Sequence, residues 1–366
     1  MGDFNTRFNR KNTASVKWDM LQPMFQSDDL LPMWIADMDF KAPQQVSDAL
    51  IDAAKHGIFG YSNMEHPLKS SIVQWLQTRH HWQINPNWLS FSPSVVTSLY
   101  IAIQAFTDPK DKILIQTPVY TPFYEMIQDH DREIVRNPLV LKDNYYQIDF
   151  TDLEEKMKTG VKAFILCSPH NPVGRVWTKE ELHKIAELCV TYDVLILSDE
   201  IHADLIFSDY QHIPIASLST EVSEQTLTFM SPTKTFNIAG LQASYIVTSN
   251  KKHRDQINTY LKLQGLSALN TIGSIALQTA YQDGESWFQQ LIEILEEHRD
   301  YVVHMFEQHA PMLSVIHSEG TYLLWIDCSQ LHMDAKTLNR FMIDQAKVGL
   351  SPGVSYGEEG AAFMRI

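Results

Sequence analysis

Residues 226–241 read Thr-Leu-Thr-Phe-Met-Ser-Pro-Thr-Lys-Thr-Phe-Asn-Ile-Ala-Gly-Leu. The run from Leu227 to Ser231 has the length of a buried strand, and Ser231-Pro232 then marks a turn. Lys234 follows directly, between Thr233 and Thr235 and close to Phe236 and Ile238. A lysine in such surroundings loses its charge readily and can act as an amine nucleophile. A lone exposed lysine is the plainer alternative, so the neighbouring segments must decide.

Upstream, the same layout recurs. Apolar runs at Trp88 to Phe91, Ile113 to Gln116, Ala163 to Cys167 and Val194 to Ser198 alternate with amphipathic stretches, and a further run spans Ala243 to Thr248. The alternation predicts an α/β layer structure with a mostly parallel sheet. Ligands of such sheets sit beyond the carboxyl ends of the strands, so the residues after each run are diagnostic. After Phe91, Ser92-Pro93-Ser94-Val95-Val96-Thr97 opens a helix whose first N–H groups can hold an anion. After Gln116, Tyr120 places an aromatic ring near the same edge, although a single such ring is more often packing. Asn171 follows Cys167 in a Pro/Gly turn, and Asp199 follows Ser198, where a helix cap is the plainer reading. Taken together they supply a phosphate cradle, a stacking ring, an amide donor, a carboxylate and an amine. Pyridoxal phosphate (PLP) needs that inventory for its phosphate, ring, phenolic oxygen, ring nitrogen and aldehyde.

Thr178 and Glu181 form a capping box ahead of a helix whose Leu182, Ile185, Ala186 and Cys189 repeat on one face. Beyond residue 250 two long helical patterns are predicted, at 251–282 and 285–309, followed by the apolar segment Thr321 to Ile326. The first forty residues show little periodicity and are expected to drape over the body. Across the 366 residues, 29 Lys+Arg against 44 Asp+Glu give a net charge of −15, which disfavours nucleic acid and anionic membranes as partners. No apolar run reaches the roughly 20 residues of a membrane helix, and no apolar signal segment opens the chain. A cytoplasmic protein with three reduced cysteines is expected. The 15 histidines show no metal-ligand spacing, and no metal is expected.

The motifs His170-Asn171-Pro172-Val173-Gly174, Ser198-Asp199-Glu200-Ile201-His202 and Ser231 to Leu241 resemble the class I/II aminotransferase-fold enzymes. Met33 to Phe40, Asp199-Glu200-Ile201-His202-Ala203-Asp204 and Lys234-Thr235-Phe236-Asn237 narrow the resemblance to cystathionine β-lyases of the MalY/PatB type, which are C–S lyases. It runs nearly end to end and implies a PLP-dependent transferase fold of type I, a large domain with a mostly parallel sheet plus a smaller α+β domain. It implies Lys234 as the Schiff-base lysine, Asp199 on the ring nitrogen, Asn171 on the phenolic oxygen and Tyr120 stacked on the ring. Val95, Val96, Ser231 and Thr233 are implied to hold the phosphate, joined by Tyr61 from the partner subunit of a homodimer with composite sites. Arg365, Asn171 and Ala36 are implied to meet an amino-acid substrate, with Lys234, Tyr120 and Asp199 catalytic.

Two departures carry consequences. Gln242 stands eight residues after Lys234, where many aminotransferases have an arginine, and this favours the lyase over an aminotransferase as runner-up. Ser94 occupies a position that is usually glycine. The resembled family also continues beyond its carboxylate-binding arginine, whereas only Ile366 follows Arg365, so a shortened and mobile end is expected. The expected organisation is an N-terminal segment (1–45) packing on the small domain, a large domain (46–282) and a small domain (283–366). A PLP-containing regulatory binding protein is a further alternative, which retention of Lys234, Asp199, Asn171 and Tyr120 argues against. A nicotinamide dehydrogenase is excluded by the lack of a Gly-x-Gly-x-x-Gly fingerprint.

Overall fold

In the computed structural model, residues 2, 4–61, 65–266 and 268–366 are described. Seven strands form the central sheet: β1 (Leu89–Ser92), β2 (Lys112–Thr117), β3 (Glu133–Pro138), β4 (Val161–Cys167), β5 (Leu195–Asp199), β6 (Thr226–Met230) and β7 (Ser244–Val247). Their order is β1-β7-β6-β5-β4-β2-β3. The pairs from β6 through to β3 are parallel, and β7 is antiparallel to both its neighbours. Central strands of a parallel sheet are covered on both faces, so β4 is a near-continuous apolar run and β6 is buried at every position. That property made the central strands legible. Strand β3 carries no apolar run in the sequence because it is an edge strand, interrupted by Glu133 and Arg136, with half of its residues exposed.

Two helices follow the sheet closely, the first of them at the site. Helix α1 (Val95–Phe106) leaves β1 through an N-cap serine, Ser94, whose side chain accepts the Thr97 N–H. Helix α2 (Lys179–Thr191) carries the complete capping box of Thr178 and Glu181 and buries Leu182, Ile185, Ala186 and Cys189. The single pattern expected over 251–282 is two helices instead, Lys251–Leu263 and Thr271–Asp283. Gly265 takes a left-handed φ of 72° just beyond the first, and the Asn270 side chain caps the second by accepting the Gly273 N–H. Apolar spacing that continues across the break concealed it. Pro232–Thr235 forms one short turn, α3, and Glu285–His309 forms the long helix α4. The first half of α4 buries Trp287, Phe288 and Leu291 in the core beside the large sheet, while Val302, Val303 and Phe306 pack on a separate cluster.

That separate cluster covers a second, antiparallel sheet of β8 (Ser314–Val315), β9 (Trp325–Asp327), β10 (Ser351–Pro352) and β11 (Phe363–Arg365), in the order β8-β9-β11-β10. The N-terminal segment joins it, since Leu31–Pro32 pairs with Val348–Gly349. The expectation of a mobile end needs correction. Strand β11 is internal to its sheet, with Arg365 opposite Trp325 on one side and Ser351 on the other. Ile366 exchanges two further main-chain hydrogen bonds with Leu324, so both flanks of the strand are held.

Candidate active site

The parallel strands end together at one edge of the large sheet, and the chemistry collects there. Beyond β6, Ser231 caps α3, accepts the Thr233 N–H at 3.1 Å and donates to the Ala243 carbonyl at 2.6 Å. The turn sends Lys234 toward the N-terminal segment, where its Nζ donates to the Ala36 carbonyl at 2.6 Å. Tyr322 donates to the same carbonyl at 2.9 Å. Burial, and then the nearby positive Arg365, bring the Lys234 amine down to about 8, against the opposing pull of Asp37 and Asp199. Such an amine is largely neutral at mildly alkaline pH and can serve as nucleophile or base.

Asp199 ends β5 beside Cys167 of β4. It caps no helix; its Oδ1 accepts the Ile201 N–H at 3.1 Å within a turn. Burial pushes its carboxyl up to about 7, with the Ile201 hydrogen bond opposing and Glu200 adding to the rise. A buried carboxylate so sparsely solvated is stabilised by an N–H⁺ donor, which a protonated ring nitrogen provides. Tyr120 sits over the same region, its phenol pushed up to about 12 by burial and then by the negative Asp199. Asn171 is buried, its N–H directed at Cys167 Sγ at 3.5 Å and its Oδ1 left without a partner among the described residues.

A candidate anion cradle lies along the same edge. Ser244, at the start of β7, faces Ser92 at the end of β1, and their hydroxyls are 2.7 Å apart. The preceding residue, Ala243, receives the Ser231 hydroxyl, so the α1 and α3 turns are drawn together. Ser94 satisfies Thr97, and Ser98 bonds back to the Ser94 carbonyl. The Val95 and Val96 N–H groups have no acceptor among the described residues, as anion-binding helix N-termini require. The departure from glycine at Ser94 is thereby explained, because a serine N-cap in extended conformation (φ −154°) needs no special backbone freedom.

Arg365 is buried and directs its guanidinium to the Trp34 carbonyl at 2.7 Å and Ser351 Oγ at 3.3 Å. Its Nε has no partner, and no carboxylate pairs with it among the described residues. A buried guanidinium held only by neutral groups has capacity left for an incoming carboxylate. Tyr61 is not brought to this edge. It is fully exposed, and the nearby Ile58 and Phe59 are largely exposed.

Three further residues belong to this neighbourhood. Asp37 is held by Arg10 and Lys17 and fixes the segment that carries Ala36. His202 is buried, packs edge-on to Tyr322 at 5.9 Å, and is driven down to about 3 by burial and by Lys234 and Arg365. A neutral imidazole there adds no competing cation. Sequence spacing could not have found Tyr322, since nothing in the chain order links it to Ala36. His202 stands in the Ser198–His202 motif, but nothing in the sequence signals its place beside Tyr322.

The family model for aminotransferase class I and II matches residues 29–366. The chain is 42% identical over 365 residues to cystathionine β-lyase PatB of Bacillus subtilis (strain 168), covering 100% of this chain and 94% of that protein. It is 33% identical over 369 residues to protein MalY of Escherichia coli (strain K12), with coverages of 100% and 94%. Among solved structures, cystalysin from Treponema denticola, which contains pyridoxal 5'-phosphate, superposes with a TM-score of 0.97 at 36% identity, covering 100% of this chain and 94% of that one.

Proposed function

The chain belongs to the aminotransferase class I and II family, and on that premise we propose that it is a PLP-dependent carbon–sulfur β-lyase, cleaving cystathionine or related S-substituted cysteines to a thiol, pyruvate and ammonia. The observation that carries the reading is the buried Lys234 amine, tuned to about 8 beside an arginine that lacks a carboxylate partner, in a chain similar over its length to a cystathionine β-lyase. The residues present fit the cofactor, because a buried amine, a buried carboxylate and the free Val95 and Val96 N–H groups gather at one sheet edge. Lys234 would hold it covalently, the Val95 and Val96 N–H groups with Ser231 and Thr233 would take its phosphate, and Asn171 and Asp199 would meet its phenolic oxygen and ring nitrogen. When bound, PLP supplies an electron-accepting ring that stabilises negative charge at the substrate's Cα.

The chain's own groups do the rest. Arg365 clamps the substrate carboxylate through a paired hydrogen bond and so orients the Cα–H bond. Lys234 Nζ, once released, takes the Cα proton, for which an amine near neutrality is suited. Asp199, through its charge, keeps the ring nitrogen protonated. Sulfur then leaves as thiolate with the Cβ–S electron pair while the pair left at Cα forms the Cα=Cβ bond, and water converts the released unsaturated amine to pyruvate and ammonia. Tyr120 would cover the ring, and the Ala36 carbonyl accepts the Lys234 amine when it is free. We further propose a cytoplasmic homodimer in which Tyr61 of each subunit reaches the phosphate of the other; its full exposure, with Ile58 and Phe59 beside it, supports this. Among the described residues no helix is long and apolar enough to cross a membrane. The test is thiol release from L-cystathionine. The wild type should release thiol, Lys234→Ala should release none, and a wild type without thiol release would sink the proposal.

A further inference from the structure

Behind Lys234 lies a buried polar arrangement that the proposed chemistry does not use. Thr235 is fully buried, and its hydroxyl donates to Asp204 Oδ2 at 2.7 Å. The other oxygen, Oδ1, accepts the Trp75 indole N–H at 3.0 Å and bonds to His80 Nε2 at 2.9 Å. Burial works against the Asp204 carboxylate, but the bonds from His80 and Thr235 outweigh it, and its net shift is below the ordinary range. An ionised carboxylate in such a place is costly unless every lone pair is engaged, and an apolar side chain would have filled the volume at less expense. Its presence calls for a role that an apolar group could not fill.

The short turn that carries Lys234 supplies one. Helix α3 has four residues, too few to hold its own geometry, so the direction of Lys234 depends on what its neighbours grip. On one side the grip is neutral, from Ser231 to the Ala243 carbonyl. On the other side it is Thr235 to a charged acceptor, a bond roughly twice as strong as a neutral one. Asp204 is itself backed by a rigid wall: Trp75 stacks on Tyr281 at 4.8 Å and meets Phe236 at 5.6 Å. The turn from Asp199 to Asp204 thus begins with the carboxylate assigned to the ring nitrogen and ends with the one that grips the lysine's neighbour.

We propose that Asp204 is a positioning residue for Lys234, acting through the hydroxyl of Thr235. The inference rests on the assignment of Lys234 as the cofactor-bearing amine, and the two can fail separately. Add PLP to cofactor-free protein and follow growth of the visible absorption band, then measure kcat and KM for thiol release from cystathionine by the loaded enzyme. Thr235→Val, which keeps the shape and loses the hydroxyl, should slow both capture and kcat about 10- to 100-fold, the scale of a misplacement of about 1 Å, with KM within about twofold. Thr235→Ser should recover most of the loss, and a folded Asp204→Asn should resemble the valine variant. Wild-type capture and kcat in Thr235→Val would overturn the inference, as would a serine variant as impaired as valine, which would point to methyl packing. Should Asp204→Asn fail to fold, the valine and serine pair still decides. A normal band in Lys234→Ala would instead overturn the lysine assignment itself.

Discussion

Lys234 gives the account its sharpest residue-scale consequence. Its amine lies at about 8 where 10.5 is usual, so the neutral, reactive fraction grows as pH rises through 8 and is already nearly complete well below 10.5. In cofactor-free protein, amine-directed labelling of Lys234, located by peptide mass spectrometry, should rise from pH 6 to 9 with a midpoint near 8. A midpoint above 10 would show that the tuning is absent. Arg365 gives a second. Its planar, two-pronged donor matches a carboxylate, and lysine loses that geometry, so Arg365→Lys should raise KM for the amino-acid substrate about tenfold or more, equivalent to about 1.4 kcal/mol. Its effect on PLP binding should be small, because Arg365 reaches Trp34 and Ser351 rather than the phosphate cradle. The candidates Tyr120, Asn171, Asp199 and Lys234 stand out in the sequence because each lies at or within a few residues of the end of a buried strand. Tyr322 and Asp37 do not, since both reach the site from segments distant in the chain and with no strand-end signal of their own.

Among the elements, the loop carrying Asn171 is pinned by contact with the segment after β8. Gly174 has φ +74°, and the Glu319 N–H donates to its carbonyl at 2.9 Å. A Cβ on Gly174 would lie 2.5 Å from Ser318 Oγ. Gly174→Ala should therefore destabilise the protein by about 1–3 kcal/mol through backbone strain alone, read as a lower denaturation midpoint. An unchanged midpoint would mean the loop relaxes freely. At this scale the sequence was informative where one physical demand dominates: doubly covered strands, and the reciprocal cap of Thr178 and Glu181. It was silent where two demands compete. The edge strand β3 mixes pairing with solvent exposure, and the break at Gly265 lies inside continuing helical apolar spacing. The terminus misled for a related reason, because proximity to a chain end says nothing of whether a strand lies between two partners, as β11 does.

For the whole molecule, Lys234 beyond the large sheet and Tyr322 just before β9 of the small one both donate to the Ala36 carbonyl of the N-terminal segment. If Tyr61 completes the neighbouring subunit's site, mixing inactive Tyr61→Ala and Lys234→Ala subunits should regenerate activity, since a hybrid dimer contains one intact composite site; a mixture no more active than its parts would argue for self-contained sites. The central claim, that this scaffold expels sulfur rather than moving an amino group, is tested most directly by incubating the PLP-loaded protein with L-cystathionine and measuring pyruvate with and without an added 2-oxo acid. Lyase chemistry predicts equal pyruvate formation in both cases, matched by thiol release over many turnovers. Turnover that occurs only when the 2-oxo acid is present, with the acceptor aminated and no thiol released, would contradict it.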